Sequence, residues 1–197
     1  MNDREWDKRL RIRTVGREDE ANANYSPYEP TPYAVLQRLA DSGHVRRRHH
    51  LLDYGCGKGR VAFFMTSVIG CRVTGIDHSE KLIAIARENR RACRAGDRVA
   101  LARCLAEQYP IADEDAFFFF NPFSCRVFEG VLRRLSASWR ERPRPLTLLF
   151  YYPSEDYLRV LDEAPELRRV DVIPCQDLFS GNDPREQIAI YAFPGEP

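Results

Sequence analysis

Apolar residues along the chain fall into two spacings, and the alternation between them predicts the architecture. Short apolar runs bounded by turn residues occupy 50–53, 71–77, 99–104, 116–120, 146–152, 167–173 and 188–193, each the length of a strand. Between them apolar positions recur at helical spacing. One such set is Tyr33, Leu36, Leu39 and Ala40; the next is Val61, Phe64, Met65 and Val68. Leu82, Ile85, Ala86 and Cys93 form a third, and Val127, Phe128, Val131, Leu132, Leu135 and Trp139 a fourth. Thr31 followed by Pro32 reads as an N-cap and first-turn pair, Gly43 as a stop, and Ser79 as a cap with Glu80 in the positive first turn. Pro153-Ser154 starts a further short helix that closes before Pro165. The phenylalanines from Phe117 to Phe120 suit a strand buried on both faces, in the middle of a parallel sheet. The last two runs are separated by a turn-rich stretch instead of a helix, so they are expected to pair as an antiparallel hairpin.

Ahead of this pattern, residues 1–24 are charged and lack a clear period apart from Trp6 and Leu10. They read either as disordered or as an arm that orders on a ligand or partner. Residues 25–197 are expected as one domain, with 25–43 as a leading cap segment. Three prolines in that segment stiffen it, and Tyr25, Tyr28 and Tyr33 either cover a ligand or pack the leading helix onto the sheet edge. Tyr28, Glu29 and Tyr33 are therefore the candidates for closing a site.

Composition narrows the classes. At 197 residues, 44% of them hydrophobic and 30% charged, the chain suits a single soluble domain. A net charge of +1 argues against affinity resting on a large electrostatic footprint on nucleic acid, while a local basic patch stays open. Six cysteines without C-x-x-C spacing read as small buried hydrophobes in a reducing compartment. Neither the opening Met1-Asn2-Asp3-Arg4-Glu5 nor any long apolar window suggests export or a membrane, so a cytoplasmic protein is expected. His49 and His50 invite a metal reading, but strand neighbours point to opposite faces, and no metal is expected.

The chemistry centres on residues 51–60, where a strand ending in Asp53 runs into Gly55, Cys56, Gly57 and Gly59 and then into a helix. Such a turn places a ligand at the carboxyl end of the strand. A dinucleotide fingerprint wants glycine where this chain has Arg60, and a pyrophosphate is repelled by Asp53. A carboxylate there favours an ammonium group, such as the methionyl amine of S-adenosylmethionine. A tight turn that binds nothing is the bland alternative. Asp77 ends the second strand 22 residues after Gly55, the spacing at which a carboxylate accepts from a ribose diol.

The D-x-G-x-G-x-G spacing resembles the first motif of class I S-adenosylmethionine-dependent methyltransferases. The Y-E-P-T-P-Y, D-Y-G-C-G-K-G-R and F-F-F-F-N-P-F stretches are similar to those of small stand-alone bacterial members with no assigned substrate. The resemblance spans residues 25–193 and implies a doubly wound, Rossmann-like α/β sheet of seven strands, parallel except for its C-terminal hairpin. It also implies S-adenosylmethionine as cofactor, with His78 and Ser79 near the adenine and the backbone of Ala106 reading its edge. Leu105 stands where the family often has an acidic residue, so Glu107 or Gln108 is an alternative adenine partner. Asn121-Pro122-Phe123 resembles the [D/N]-P-P-[Y/F] motif of amine-directed members without its second proline. The resemblance makes the Asn121 amide and the Pro122 carbonyl orienting acceptors for an NH2 group, with Phe123 as a packing wall. Asn121 capping the next helix with Ser124 is the structural alternative.

The expected activity is methyl transfer to a nitrogen acceptor, whose identity the sequence leaves open together with the oligomeric state. A silent S-adenosylmethionine binder or partner scaffold would share the cofactor residues, and only the Asn121 segment speaks against it. A nicotinamide oxidoreductase is disfavoured by Asp53 and Arg60, and a non-enzymatic nucleic-acid binder by acids interspersed among the arginines.

Overall fold

The computed structural model describes residues 2–18 and 23–194. Seven strands form one sheet: β1 (His50–Tyr54), β2 (Arg72–Asp77), β3 (Val99–Arg103), β4 (Ala116–Phe119), β5 (Leu146–Tyr151), β6 (Arg168–Pro174) and β7 (Gln187–Phe193). The spatial order is β3-β2-β1-β4-β5-β7-β6. The first five strands are parallel, and β7 runs antiparallel between β5 and β6. The expected hairpin is thus present, with its second strand inserted against β5. The order reverses between β1 and β4, and ligands of open α/β sheets bind in the crevice at such a switch point.

Helices α1 (Asp3–Leu10), α2 (Tyr33–Asp41), α3 (Arg60–Ile69), α4 (Glu80–Ala92), α5 (Cys125–Glu141) and α6 (Glu155–Glu163) complete the fold. Two cores result. Phe118 and Leu51 face one shared with α2 and α3, and Phe117, Phe119 and Leu52 face another shared with α5 and α6. The phenylalanine run is buried on both faces because alternate side chains feed opposite cores. Ser79 and Ser154 cap α4 and α6 by accepting from Leu82 N and Tyr157 N, each at 3.3 Å. At α2 the cap position is Pro32, not Thr31, and no side chain caps it. Among the described residues, no helix is long and apolar enough to cross a membrane.

Of the leading segment, residues 2–18 are placed, while residues 1 and 19–22 lie outside the described residues. Asn2 and Glu5 form a reciprocal capping box at the start of α1. Trp6 stacks on Tyr33, ring centroids 5.6 Å apart, and meets Phe64 edge-on at 5.0 Å. The polar anchor is Arg60, at 2% exposure. Its guanidinium donates to Asp3, to Thr14 Oγ1 at 2.7 Å and to the Thr31 carbonyl at 3.1 Å, and it lies over the Tyr33 ring. Asp7 accepts from the Thr14 and Tyr33 hydroxyls, each at 2.6 Å, and stands 3.9 Å from the same guanidinium. One buried cation at the helix start thereby ties together the arm and the turn into α2.

Stripping one partner from a buried charged network leaves the others desolvated and unpaired. Arg60→Met should lower the unfolding free energy by roughly 3 to 5 kcal/mol, the range for breaking such a network. Urea denaturation followed by circular dichroism measures this. A loss below about 1 kcal/mol would mean that Trp6 and Leu10 hold the arm without help.

Candidate active site

A cavity of about 550 Å3 opens at the carboxyl ends of β1, β2, β4 and β5, roofed by residues 25–32. Its floor contains Asp53, only 2% exposed, whose Oδ2 has no hydrogen-bond partner. Burial, reinforced by the charge of Asp77, pushes the Asp53 carboxyl up to about 8. A group in that position is incomplete: it stays protonated, or it ionises against a cation brought by a ligand.

The backbone amides of the glycine loop are already engaged within the chain. Gly55 N and Cys56 N both donate to the Ile76 carbonyl at 2.9 Å, Gly57 N to Asp77 Oδ2 at 2.9 Å, and Gly59 N to the Cys56 carbonyl at 2.8 Å. A phosphate would find those four N–H groups already spent. The glycines serve close approach instead. At Gly55 (φ +72°) an added Cβ would lie 2.4 Å from Pro122, and at Gly57 (φ +53°) 2.3 Å from the Tyr28 ring. Gly55 and Cys56 line the cavity, whereas Gly57 and Gly59 shape the loop from behind.

Asp77, at 7% exposure, accepts from Gly57 N and, through Oδ1, from Ser79 N at 2.8 Å. Burial raises its pKa, while the Ser79 and Gly57 bonds pull it down. A carboxylate offers about four lone-pair sites, so acceptor capacity remains for a diol. His78 lines the cavity and stacks on Tyr25, ring centroids 4.0 Å apart. Ala106 also lines it, but the Glu107 carboxylate accepts from the Tyr25 hydroxyl at 3.0 Å. Neither Glu107 nor Gln108 reaches the cavity wall.

Asn121, Pro122 and Phe123 all line the cavity. The Asn121 carboxamide donates to the Tyr152 carbonyl at 2.6 Å and accepts from Ser154 N at 3.2 Å, so its orientation is fixed at both ends. It joins the ends of β4 and β5. The capping alternative fails, because Ser124 is the cap residue of α5 and neither side chain accepts from that helix. The Pro122 carbonyl accepts from Ser26 N at 3.1 Å. Phe123 is buried at 4% exposure, edge-on to Tyr54 and Tyr25.

The expected closing residues divide. Tyr28 lines the cavity with its hydroxyl on the Thr14 carbonyl at 2.7 Å, and Glu29 lines it while paired with Arg17. Tyr33 is not brought to the cavity; its hydroxyl is committed to Asp7. Tyr151, Tyr152, Phe179 and Glu186 also line the wall, and sequence reasoning missed all four. Only the strand-end position of Tyr151 and Tyr152, beside Asn121 in the sheet order, signalled the first two. His50 does not pair with His49 but joins Asp113 and Glu114, with ligand atoms within 4.8 Å, at the far end of β1. Its ring nitrogens face Asp113 at 3.0 Å and Thr74 at 2.8 Å, and Arg72 also pairs with Asp113.

Residues 51–141 match the family model described as a methyltransferase domain. Over that stretch, from β1 to the end of α5, the chain is similar to methyltransferase domains that use S-adenosylmethionine. Solved structures show the same fold. An RNA methyltransferase from Salinibacter ruber with bound S-adenosyl-L-homocysteine is 21% identical, with TM-score 0.56, over 86% of this chain and 96% of that one. A putative rRNA-methylase from Clostridium thermocellum is 18% identical, with TM-score 0.58, over 86% of this chain and 99% of that one. The mitomycin 7-O-methyltransferase MmcR is 17% identical, with TM-score 0.58, over 82% of this chain and 53% of its own. No curated protein matches the sequence. The residues present fit S-adenosylmethionine: Asp53 Oδ2 lacks a partner, which a methionyl ammonium would bring, and Asp77 keeps lone pairs for a ribose.

The Asp53 shift has a sign that can be measured. A carboxyl whose folded pKa is raised costs stability progressively as pH climbs from its ordinary value near 3.8 to about 8. Asp53→Asn should therefore raise the melting temperature of the ligand-free protein at pH 8 and leave it little changed at pH 4. The same variant should weaken S-adenosylhomocysteine binding at least tenfold, since a charge-assisted contact is lost, about 1.4 kcal/mol or more. Thermal melts at both pH values and one titration check this; equal affinity would remove Asp53 from the cofactor site.

Proposed function

We propose that the protein transfers the methyl group of S-adenosylmethionine to a nitrogen atom held beside Asn121 and Phe123. The observation that carries the cofactor half is the orphaned Asp53 carboxylate, in a loop whose amides are unavailable to phosphate. Asp53 holds the ammonium, Asp77 the ribose diol, and the Ala106 backbone, with His78 alongside, the adenine. The bound cofactor supplies an electrophilic methyl carbon on a positively charged sulfur that leaves neutral.

The chain's work is then alignment. Strand β4 lies directly beside β1, so Asn121 stands across the cleft from Asp53. Its Oδ1 and the Pro122 carbonyl each accept one internal bond, and an sp2 oxygen keeps a second lone pair for an acceptor N–H. The Tyr152 and Ser154 contacts lock the amide in one orientation, which supports an aligning role. Segment 25–32 acts as the cover, tied to the β4 end by Ser26 donating to Asn121 O at 2.7 Å. Phe123 forms the apolar wall.

Titration calorimetry should give saturable binding of S-adenosylmethionine and S-adenosylhomocysteine and none of NAD. Asp77→Ala should cost roughly 1.5 to 3 kcal/mol of that binding, as for charge-assisted hydrogen bonds. Binding of NAD alone would overturn the cofactor reading.

Transfer itself is followed from labelled cofactor into metabolite, protein and RNA fractions of a cell extract. Asn121→Ala should keep S-adenosylhomocysteine affinity within about threefold while methyl transfer falls about ten- to a thousandfold. Its melting temperature should drop too, because the carboxamide joins two strand ends. Native-rate transfer in that variant would favour an oxygen or carbon acceptor, and no transfer by the wild type would favour a silent binder.

A further inference from the structure

The cavity continues past Asn121 into a part that the cofactor residues do not explain. Its wall there is aromatic, from Phe120, Tyr151, Tyr152 and Phe179, and it carries one unassigned carboxylate, Glu186. The backbone is strained at this point. Asn121 has φ 39° and Tyr152 φ 51°, both in the left-handed region that non-glycine residues avoid, and the two are joined by their 2.6 Å hydrogen bond. Strained residues of this kind persist only where the surroundings hold them, and they concentrate at ligand sites.

The charges single out Glu186. Of the cavity's other carboxylates, Glu29 pairs with Arg17 and Glu18 with Lys58 and Lys81, while Asp53 and Asp77 belong to the cofactor end. Glu186 is half-buried and accepts from the Tyr151 hydroxyl at 2.7 Å, and no cation lies within ion-pair distance of it among the described residues. Phe120 packs on Tyr151, ring centroids 4.7 Å apart, and on Tyr152 at 6.5 Å. Arg185 already lies over the Tyr152 ring, but Asp183 matches its charge. An unpaired carboxylate against aromatic faces is a receptor for an organic cation, through Coulomb attraction and the negative faces of the rings.

Building on the methyltransferase reading, we infer that the acceptor is an amine that is cationic in solution, held by Glu186 and the Phe120, Tyr151 and Tyr152 rings. A neutral base amine, an alcohol or an anionic acceptor would leave the Glu186 charge unmatched. Before attack the amine gives its proton to the carboxylate. Its nitrogen then forms the bond to the methyl carbon as the carbon–sulfur bond breaks.

The test uses tetramethylammonium as a cationic probe, tert-butanol as a neutral one of similar size and acetate as an anionic one. Each is titrated by ligand-observed NMR into the full chain, with and without saturating S-adenosylhomocysteine, which occupies the Asp53 end. Tetramethylammonium should bind in both states and outcompete tert-butanol and acetate. Glu186→Gln keeps the acceptor for Tyr151, so the fold survives, and should weaken tetramethylammonium roughly five- to thirtyfold in the S-adenosylhomocysteine complex. Equal binding of tert-butanol, preference for acetate, or a Glu186→Gln variant with unchanged affinity would overturn the inference. If S-adenosylhomocysteine itself fails to bind, the methyltransferase reading falls, while the Glu186 effect on the ligand-free protein still judges the cation site.

Discussion

The buried guanidinium of Arg60 is the contact through which the arm, the roof and the glycine loop become one structure. A charge at 2% exposure is tolerated only with partners, and these come from three segments distant in sequence: Asp3 and Asp7, Thr14, and the Thr31 carbonyl. Those segments lead into and out of the residues that cover the cavity. Tyr28, whose hydroxyl reaches the Thr14 carbonyl, rests its ring where Gly57 has no side chain. The position at which a dinucleotide loop would have its third glycine is thus used to fasten a lid support, and the substitution that argued against NAD acquires a structural role.

Much of this was legible in the sequence, and the limits have physical causes. The seven apolar runs located the strands to within a residue or so, because a sheet covered on both faces forces continuous apolar stretches between turns. Asp53 and Asp77 were legible because strand ends in this fold carry ligands and a carboxylate there has few other uses. The bonding of the loop amides was not, since Ile76 accepts from Gly55 and Cys56 only once β1 and β2 lie side by side. Arg60 appeared in the sequence merely as an absent glycine. Glu186 directly precedes β7, and the insertion of β7 beside β5 brings it to the cavity, a neighbourhood that no local spacing encodes.

Asp53 and Asn121 illustrate opposite ways of equipping a site. Asp53 is left short of a partner, a standing cost that a bound cation removes, as expected where function is maintained against stability. Asn121 is bonded at both ends of its amide and strained, so its contribution is direction: the backbone just after β5 holds both ends and leaves Oδ1 a second lone pair. In the proposed reaction the first arrangement would select a ligand by charge and the second by angle.

The self-bonded glycine loop has a consequence for the entropy of recognition. With Gly55, Cys56, Gly57 and Gly59 satisfied by Ile76, Asp77 and Cys56, the loop's shape is held by the chain's own bonds before any ligand arrives. Its ordering is completed during folding, so association does not carry that loss again. Disturbing Gly75, which stands outside the cavity lining and where an added Cβ would lie 2.9 Å from Cys56, would return the disorder to the binding step.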